Sequence, residues 1–170
     1  FEIIVADAGS TDRTKDIAIE AGCQVVEGGL PAQGRNRGAE HASGEMLFFF
    51  DSDVWIEDDF IERVMRQAEA AGAGSGTVYN FPFYQPWEKG FNSRVTRIQD
   101  LFFYFFHNVG HVVSSFLSYA TGTGTFLFAR RDVFERINGF DESLVAFEDA
   151  NFALRACRVS RYIVLRTPQV

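Results

Sequence analysis

Short apolar runs alternate with segments of helical spacing through the first half of the chain. The runs at residues 3–6, 24–26 and 46–50 predict β-strands. Helical patterns lie between and after them, at residues 10–21, 35–42 and 61–68. Strands that alternate with helices in this way form right-handed βαβ units. The pattern therefore predicts the α/β class, with a mostly parallel central sheet flanked by helices.

The second half of the chain does not continue the regular alternation of short strands and helices. Strands are predicted at residues 76–83, 125–129 and 162–165, and helices at 132–139 and 148–158. Asp132 and Glu135 resemble a capping box, so Asp132 is expected to cap the first of these helices. Residues 94–118 have helical spacing with one apolar stripe, which includes Phe102, Phe105, Phe106, Val109 and Val113. We call this segment the Phe-rich helix. Its opposite stripe is polar, which disfavours a membrane span and leaves two interpretations, packing on the sheet or peripheral contact with a membrane.

Composition narrows the functional classes. The 170 residues contain 16 Lys and Arg against 23 Asp and Glu, a net charge of −7, which disfavours a nucleic-acid partner. The two cysteines, Cys23 and Cys157, lack metal-ligand spacing and exclude a disulfide framework. Free thiols fit a reducing compartment, so a cytoplasmic location is expected. The sequence shows neither a signal peptide nor a long uninterrupted apolar segment.

The chain reads as one domain, without repeats or low-complexity segments. Its first residues already follow a strand pattern, with no initiating methionine. We therefore expect the chain to be a piece of a longer protein that lacks its first strand–helix unit.

Two aspartates, Asp51 and Asp53, directly follow the apolar run at residues 46–50. In extended backbone both carboxylates project to the same side, so they can bind one hard cation at the carboxyl end of a buried strand. The alternative is a solvated acidic loop. Haloacid-dehalogenase-like phosphatases also place two aspartates after a strand, but they need a later lysine, and the chain has only Lys15 and Lys89. Nucleotide-sugar glycosyltransferases are the other class with this arrangement.

Several segments resemble family-2 inverting glycosyltransferases of the GT-A fold. Residues 5–14, V-A-D-A-G-S-T-D-R-T, are similar to the family's V-V-D-D-G-S-T-D-G-T segment. Its A-R-N-x-G, A-x-G-E, F-L-D-x-D, G-F-D-E and E-D motifs resemble residues 34–39, 42–45, 49–53, 139–142 and 148–149 in the same order. The chain departs from the family pattern at Ala8, where a second aspartate is usual. It also has no Q-x-x-R-W motif after Asp149, which disfavours a processive polysaccharide synthase.

The resemblance implies a role for each matching acid. Asp7 would contact the base or ribose of a sugar nucleotide. Asp53 would be the direct ligand of Mg²⁺ or Mn²⁺ on the diphosphate, and Asp51 would lie near the ribose or the metal. Asp149 would be the general base that takes the acceptor's hydroxyl proton, with Glu148 beside it. An inverting transfer needs such a base on one face of the anomeric carbon and charge neutralisation of the diphosphate on the other.

Arg35 is a further candidate for the donor site, because its guanidinium could reach a phosphate. The alternative is an arginine solvated on an exposed helix face.

The resemblance implies metal-dependent inverting transfer of a sugar from a nucleotide-sugar donor to a hydroxyl acceptor, either lipid-linked or a growing glycan. Residues 1–83 would form the Rossmann-like half that binds the nucleotide sugar, and residues 84–170 the half with the acceptor site and the base. The Phe-rich helix would contact the cytoplasmic face of a membrane if the acceptor is lipid-linked. Two alternatives stay open here, a nucleotidyltransferase on a related sheet and a sugar-nucleotide-binding module without turnover.

Overall fold

The computed structural model describes residues 1–78 and 125–165, with residues 101, 102, 105, 106, 108–110 and 113 between them. The strands are β1 (Ile4–Asp7), β2 (Gln24–Glu27), β3 (Met46–Phe50), β4 (Ser75–Val78), β5 (Phe126–Arg130) and β6 (Tyr162–Leu165). The helices with defined bounds are α1 (Thr14–Glu20), α2 (Pro31–His41), α3 (Phe60–Ala71), α4 (Arg131–Arg136) and α5 (Glu148–Ala156).

The strands form two sheets. β1 and β2 pair in parallel, and the other four strands follow the order β3-β5-β4-β6. In this larger sheet β5 runs antiparallel to both β3 and β4, while β4 and β6 are parallel, so three of the four strands share one direction. The predicted α/β class with a mostly parallel sheet is confirmed, and β5 is the reversed strand.

The larger sheet is buried on both faces, and the alternation of side chains along β5 shows this directly. Leu127 and Ala129 point into one hydrophobic cluster, which includes residues of α2, α4 and α5. Phe126 and Phe128 point into the other, which is covered by α3. Because neighbouring strand residues face opposite sides, an unbroken apolar sequence is what such a strand requires. The helices α2 and α5, which carry predicted site residues, therefore lie on the same face of the sheet.

Several element boundaries differ from the prediction. Helix α2 begins at Pro31, four residues earlier than expected, because proline is well suited to the first helical position, where its missing N–H would have no partner. Asp132 was expected to cap α4, but its carboxylate accepts hydrogen bonds from the Arg130 guanidinium at 2.8 Å, and the helix begins at Arg131 without a side-chain cap. The capping prediction is therefore wrong.

The described residues of the Phe-rich helix are helical, as predicted. Five positions of its apolar stripe, Phe102, Phe105, Phe106, Val109 and Val113, are 44 to 66% exposed. By contrast, Asn108 is buried. At these positions the apolar stripe faces solvent rather than the sheet. No helix within the described ranges is long and apolar enough to cross a membrane.

The rest of the Phe-rich helix, the predicted strand residues 79–83 and the predicted boundary between the two halves at 83/84 lie outside the described residues. The division into two halves stays a prediction.

Candidate active site

The first candidate residue, Asp7, lies where β1 and β2 end. Its side chain lines an open cavity of about 510 Å³, together with Lys15, Val26 and Gly28. Position 28 requires glycine. A Cβ atom there would lie 2.7 Å from the carbonyl carbon of Asp7 and 2.9 Å from the carbonyl oxygen of Ala6. The cavity lies at the carboxyl edge of a parallel strand pair, the usual place for a ligand in α/β proteins.

The carboxylate of Asp7 is ionised in its cavity. It accepts hydrogen bonds from the backbone N–H groups of Gly9 at 2.9 Å and Ser10 at 3.0 Å, and the ammonium of Lys15 lies 3.2 Å away. Hydrogen bonding from Ser10 is the largest of the causes that lower the pKa of Asp7 to about 2, although burial opposes them. An ionised carboxylate only accepts hydrogen bonds, so this cavity wall suits a ligand with N–H or O–H donors.

Arg35 joins two acids that are far apart in sequence. Its Nη2 atom lies 2.8 Å from Oδ1 of Asp51, and its Nη1 atom lies 2.6 Å from Oε1 of Glu148. The Arg35 side chain is only 11% exposed, and its guanidinium lies over the Phe140 ring at 5.4 Å from the centroid. The alternative of a solvated arginine is therefore wrong. Both of these Nη atoms bind carboxylates of the protein itself, and contact with a phosphate stays a prediction.

Asp51 and Asp53 follow β3, as predicted. Burial raises the pKa of Asp51, Arg35 opposes this, and the nearby carboxylates of Asp53 and Glu148 raise the pKa further. Asp53 is exposed, so its oxygens are accessible to a ligand from solvent.

These two acids can supply only part of a metal site. No group of three or more His, Cys, Asp and Glu residues in the described ranges is arranged to hold a metal ion. Mg²⁺, however, is commonly held by one or two carboxylates together with substrate phosphates. The Asp51–Asp53 pair fits this second arrangement and not a site made of protein ligands alone.

Glu148 and Asp149 lie in the first turn of α5. Glu148 is buried and bound to Arg35, whereas Asp149 is half-buried and accepts a hydrogen bond from the N–H of Ala150 at 2.7 Å. Burial is the main cause that raises the pKa of Asp149; the neighbouring Glu148 raises it further, and Ala150 and Arg35 oppose the shift. A carboxylate with a raised pKa is a better proton acceptor than an ordinary aspartate.

Comparison with known proteins identifies the family. The sequence profile described as Glycosyl transferase family 2 matches residues 1–138, which is most of the chain. The chain belongs to this family. This membership assigns the chain to the glycosyltransferase class and does not support the alternative of a nucleotidyltransferase.

Individual relatives of this family-2 glycosyltransferase match over different lengths. EpsH of Bacillus subtilis (strain 168) is 42% identical over 76 residues, which are 40% of this chain and 22% of EpsH. The glycosyltransferase AglE of Haloferax volcanii is 27% identical over 168 residues, which are 92% of this chain and 51% of AglE. The chain thus spans at most about half the length of these relatives.

A solved structure confirms the fold. The mannosyltransferase PcManGT of Pyrobaculum calidifontis, in complex with GDP-Man and Mn²⁺, superposes with a TM-score of 0.71 at 21% identity. The superposition covers 99% of this chain and 46% of PcManGT. The predicted GT-A fold is therefore correct for this family-2 glycosyltransferase.

Three side chains of the family-2 site carry contacts that sequence reasoning missed. Lys15 pairs with Asp7, Phe140 lies beneath the Arg35 guanidinium, and Asn36 binds the loop after α4. Asn36 belongs to the recognised A-R-N-x-G motif and Phe140 to G-F-D-E, so the motifs mark the positions. They do not indicate that residues more than 100 positions apart would be in contact.

Proposed function

We propose that this family-2 glycosyltransferase catalyses metal-dependent inverting transfer of a sugar from a nucleotide-sugar donor to a hydroxyl acceptor. The observation that carries the proposal is the double ion pair of Arg35. It holds Asp51, at the end of β3, and Glu148, at the start of α5, against a single guanidinium. The acids predicted for the diphosphate side and the base side of the reaction are thereby brought to one place.

The donor would occupy the carboxyl edges of the strands. The ionised Asp7 in its cavity would accept hydrogen bonds from the nucleoside, and the accessible Asp53 with Asp51 would bind Mg²⁺ or Mn²⁺ on the diphosphate. When bound, such a cation neutralises the charge that develops on the leaving diphosphate. The GDP-Man and Mn²⁺ bound to PcManGT support a donor and a divalent cation of these chemical classes.

Asp149 would act as the general base. In an inverting transfer the acceptor hydroxyl attacks the anomeric carbon, its proton passes to the base, and the bond to the nucleoside diphosphate breaks on the opposite face. The raised pKa of Asp149 suits this task. Glu148 is already bound by Arg35, so it would orient the turn rather than receive the proton.

The acceptor would carry a hydroxyl group, on a lipid-linked molecule or a growing glycan. Exposure of the apolar stripe on the Phe-rich helix supports peripheral contact with the cytoplasmic face of a membrane. In a flotation assay we therefore expect the chain to rise with vesicles. If neither neutral nor anionic vesicles bind it, the membrane part of the proposal is wrong.

Thermal unfolding in the presence of UDP-, GDP- and dTDP-sugars, each with and without Mn²⁺, tests donor binding. A ligand at 100 times its Kd stabilises the folded state by about 2.7 kcal/mol, so a cognate donor gives a clear rise in Tm. The Asp53→Ala variant should lose the part of the rise that depends on Mn²⁺, because one carboxylate of the metal site is removed. Asp58→Ala removes an exposed acid of the same loop and should behave like the parent chain.

Two results would contradict this account. If none of the sugar nucleotides raises Tm, the chain does not bind a donor as proposed. If Asp53→Ala keeps the full rise that depends on Mn²⁺, the metal is bound elsewhere.

A further inference from the structure

The side-chain amide of Asn36, on α2, is fully engaged with the loop that connects α4 to α5. Its Nδ2 donates hydrogen bonds to the carbonyl of Phe140 at 2.9 Å and to Oε1 of Glu142 at 2.8 Å. Its Oδ1 accepts a hydrogen bond from the N–H of Phe140 at 2.8 Å. The amide thus pairs with both backbone groups of one residue and uses both of its donor hydrogens, so it fixes the loop in position and in orientation.

The loop backbone lies unusually close to this amide. Gly139 has a φ of +63°, and a Cβ atom there would lie 2.6 Å from Oδ1 of Asn36. Any other residue would therefore meet both backbone strain and a steric clash. Gly139 allows the loop to approach α2 closely enough for Asn36 to bind it.

Phe140 connects this loop to α5, the helix that carries Asp149. Its ring is 2% exposed and stacks on Phe152 of α5, with 4.3 Å between the ring centroids. A second connection between α2 and α5 is made by Arg35, which contacts the Phe140 ring and binds Glu148. Two consecutive residues of α2 therefore hold α5, one at the acid beside Asp149 and one through the loop that leads to it.

We infer that Asn36 is a positioning residue, which holds residues 139–142 against α2 and thereby sets the location of Asp149. This inference rests on the proposed function, because it assumes that Asp149 is the base. Asn36 is not expected to touch the donor. Its loss should lower turnover and leave donor affinity unchanged, since a small displacement of a reacting group reduces rate more than binding.

The Asn36→Asp variant tests the inference with minimal change of shape. Oδ1 is retained, but an oxygen replaces the Nδ2 donor and faces the Phe140 carbonyl and the Glu142 carboxylate. We expect a fall in kcat of about 10- to 100-fold, a donor Kd within about twofold of the parent, and faster amide hydrogen exchange at Phe140 and across residues 141–147. Asn138→Asp makes the same chemical change at an exposed position of the same loop. This control should change neither kcat nor the rates of amide hydrogen exchange.

A second substitution separates positioning from general destabilisation. Glu142→Gln supplies an amide that can donate to the new carboxylate at position 36, so the double variant should recover part of the lost kcat and of the exchange protection. Glu142→Gln alone should have little effect on kcat.

Three results decide the matter. Unchanged hydrogen exchange and kcat in Asn36→Asp would overturn the inference, and so would a donor Kd that weakens as much as kcat falls. If the parent chain binds no sugar nucleotide, the proposed function fails instead, and the exchange measurement still decides whether Asn36 holds the loop.

Discussion

Asp149→Asn is expected to lower turnover by roughly two to four orders of magnitude, the usual contribution of a general base. The variant keeps an oxygen that can accept the hydrogen bond from Ala150 N–H. Folding and donor binding should therefore persist, as measured by Tm and by titration with the donor. A variant with unchanged kcat would reduce Asp149 to a structural role, and the base would then have to be Glu148.

The pH dependence of kcat gives a second signature of Asp149. Besides burial, the groups that act on its carboxyl are the N–H of Ala150 and Glu148, both on the same helix, and Arg35 on α2. Because burial raises the pKa of Asp149, protonation inactivates the base at a higher pH than for an ordinary aspartate. We expect kcat to fall as the pH drops through this raised pKa, and we expect Asp149→Asn to lack that acidic limb.

Arg35→Met is expected to lower the free energy of unfolding substantially. The variant leaves Glu148 buried without its cation, and breaking one side of a buried ion pair typically costs about 3–5 kcal/mol. Asp51 loses its partner as well, although it is more exposed. The free energy of unfolding in urea measures the effect directly.

A matched control is available on α3. Arg66 pairs with Glu62 at 2.7 Å, but both side chains are largely exposed, so Arg66→Met should cost at most about 1 kcal/mol. A double variant, Arg35→Met with Glu148→Met, should recover much of the stability, because two apolar side chains can replace a buried pair. Equal losses for Arg35→Met and Arg66→Met would show that the Arg35 pair does not support the fold.

The strands were largely predictable because burial on both faces leaves a local signature. The apolar run at residues 46–50 matches β3 residue for residue, and the run at 162–165 matches β6. Helix starts were less predictable, since they depend on competition between nearby groups. Asp132 had the right spacing for a cap, but Arg130 binds its carboxylate instead.

The acids of the candidate site could be located from motifs, but their interactions could not. Arg35 and Glu148 are 113 positions apart, and nothing in either local sequence states that α2 and α5 share one face of the sheet. Burial also decides the protonation behaviour of Asp149, and burial follows from tertiary packing. For the same reason the sequence motif marked Asn36 without showing which loop it binds.

The anomeric configuration of the first product tests the central claim most directly. When water replaces the acceptor, an inverting enzyme converts an α-linked nucleotide sugar such as UDP-GlcNAc or GDP-mannose into the β-anomer of the free sugar. Proton NMR of the full chain with Mn²⁺ and the donor that raises its Tm can detect this anomer before it equilibrates. Our account predicts that the β-anomer appears first and that Asp149→Asn suppresses it. Initial release of the α-anomer would contradict inversion and the assignment of Asp149 as its base.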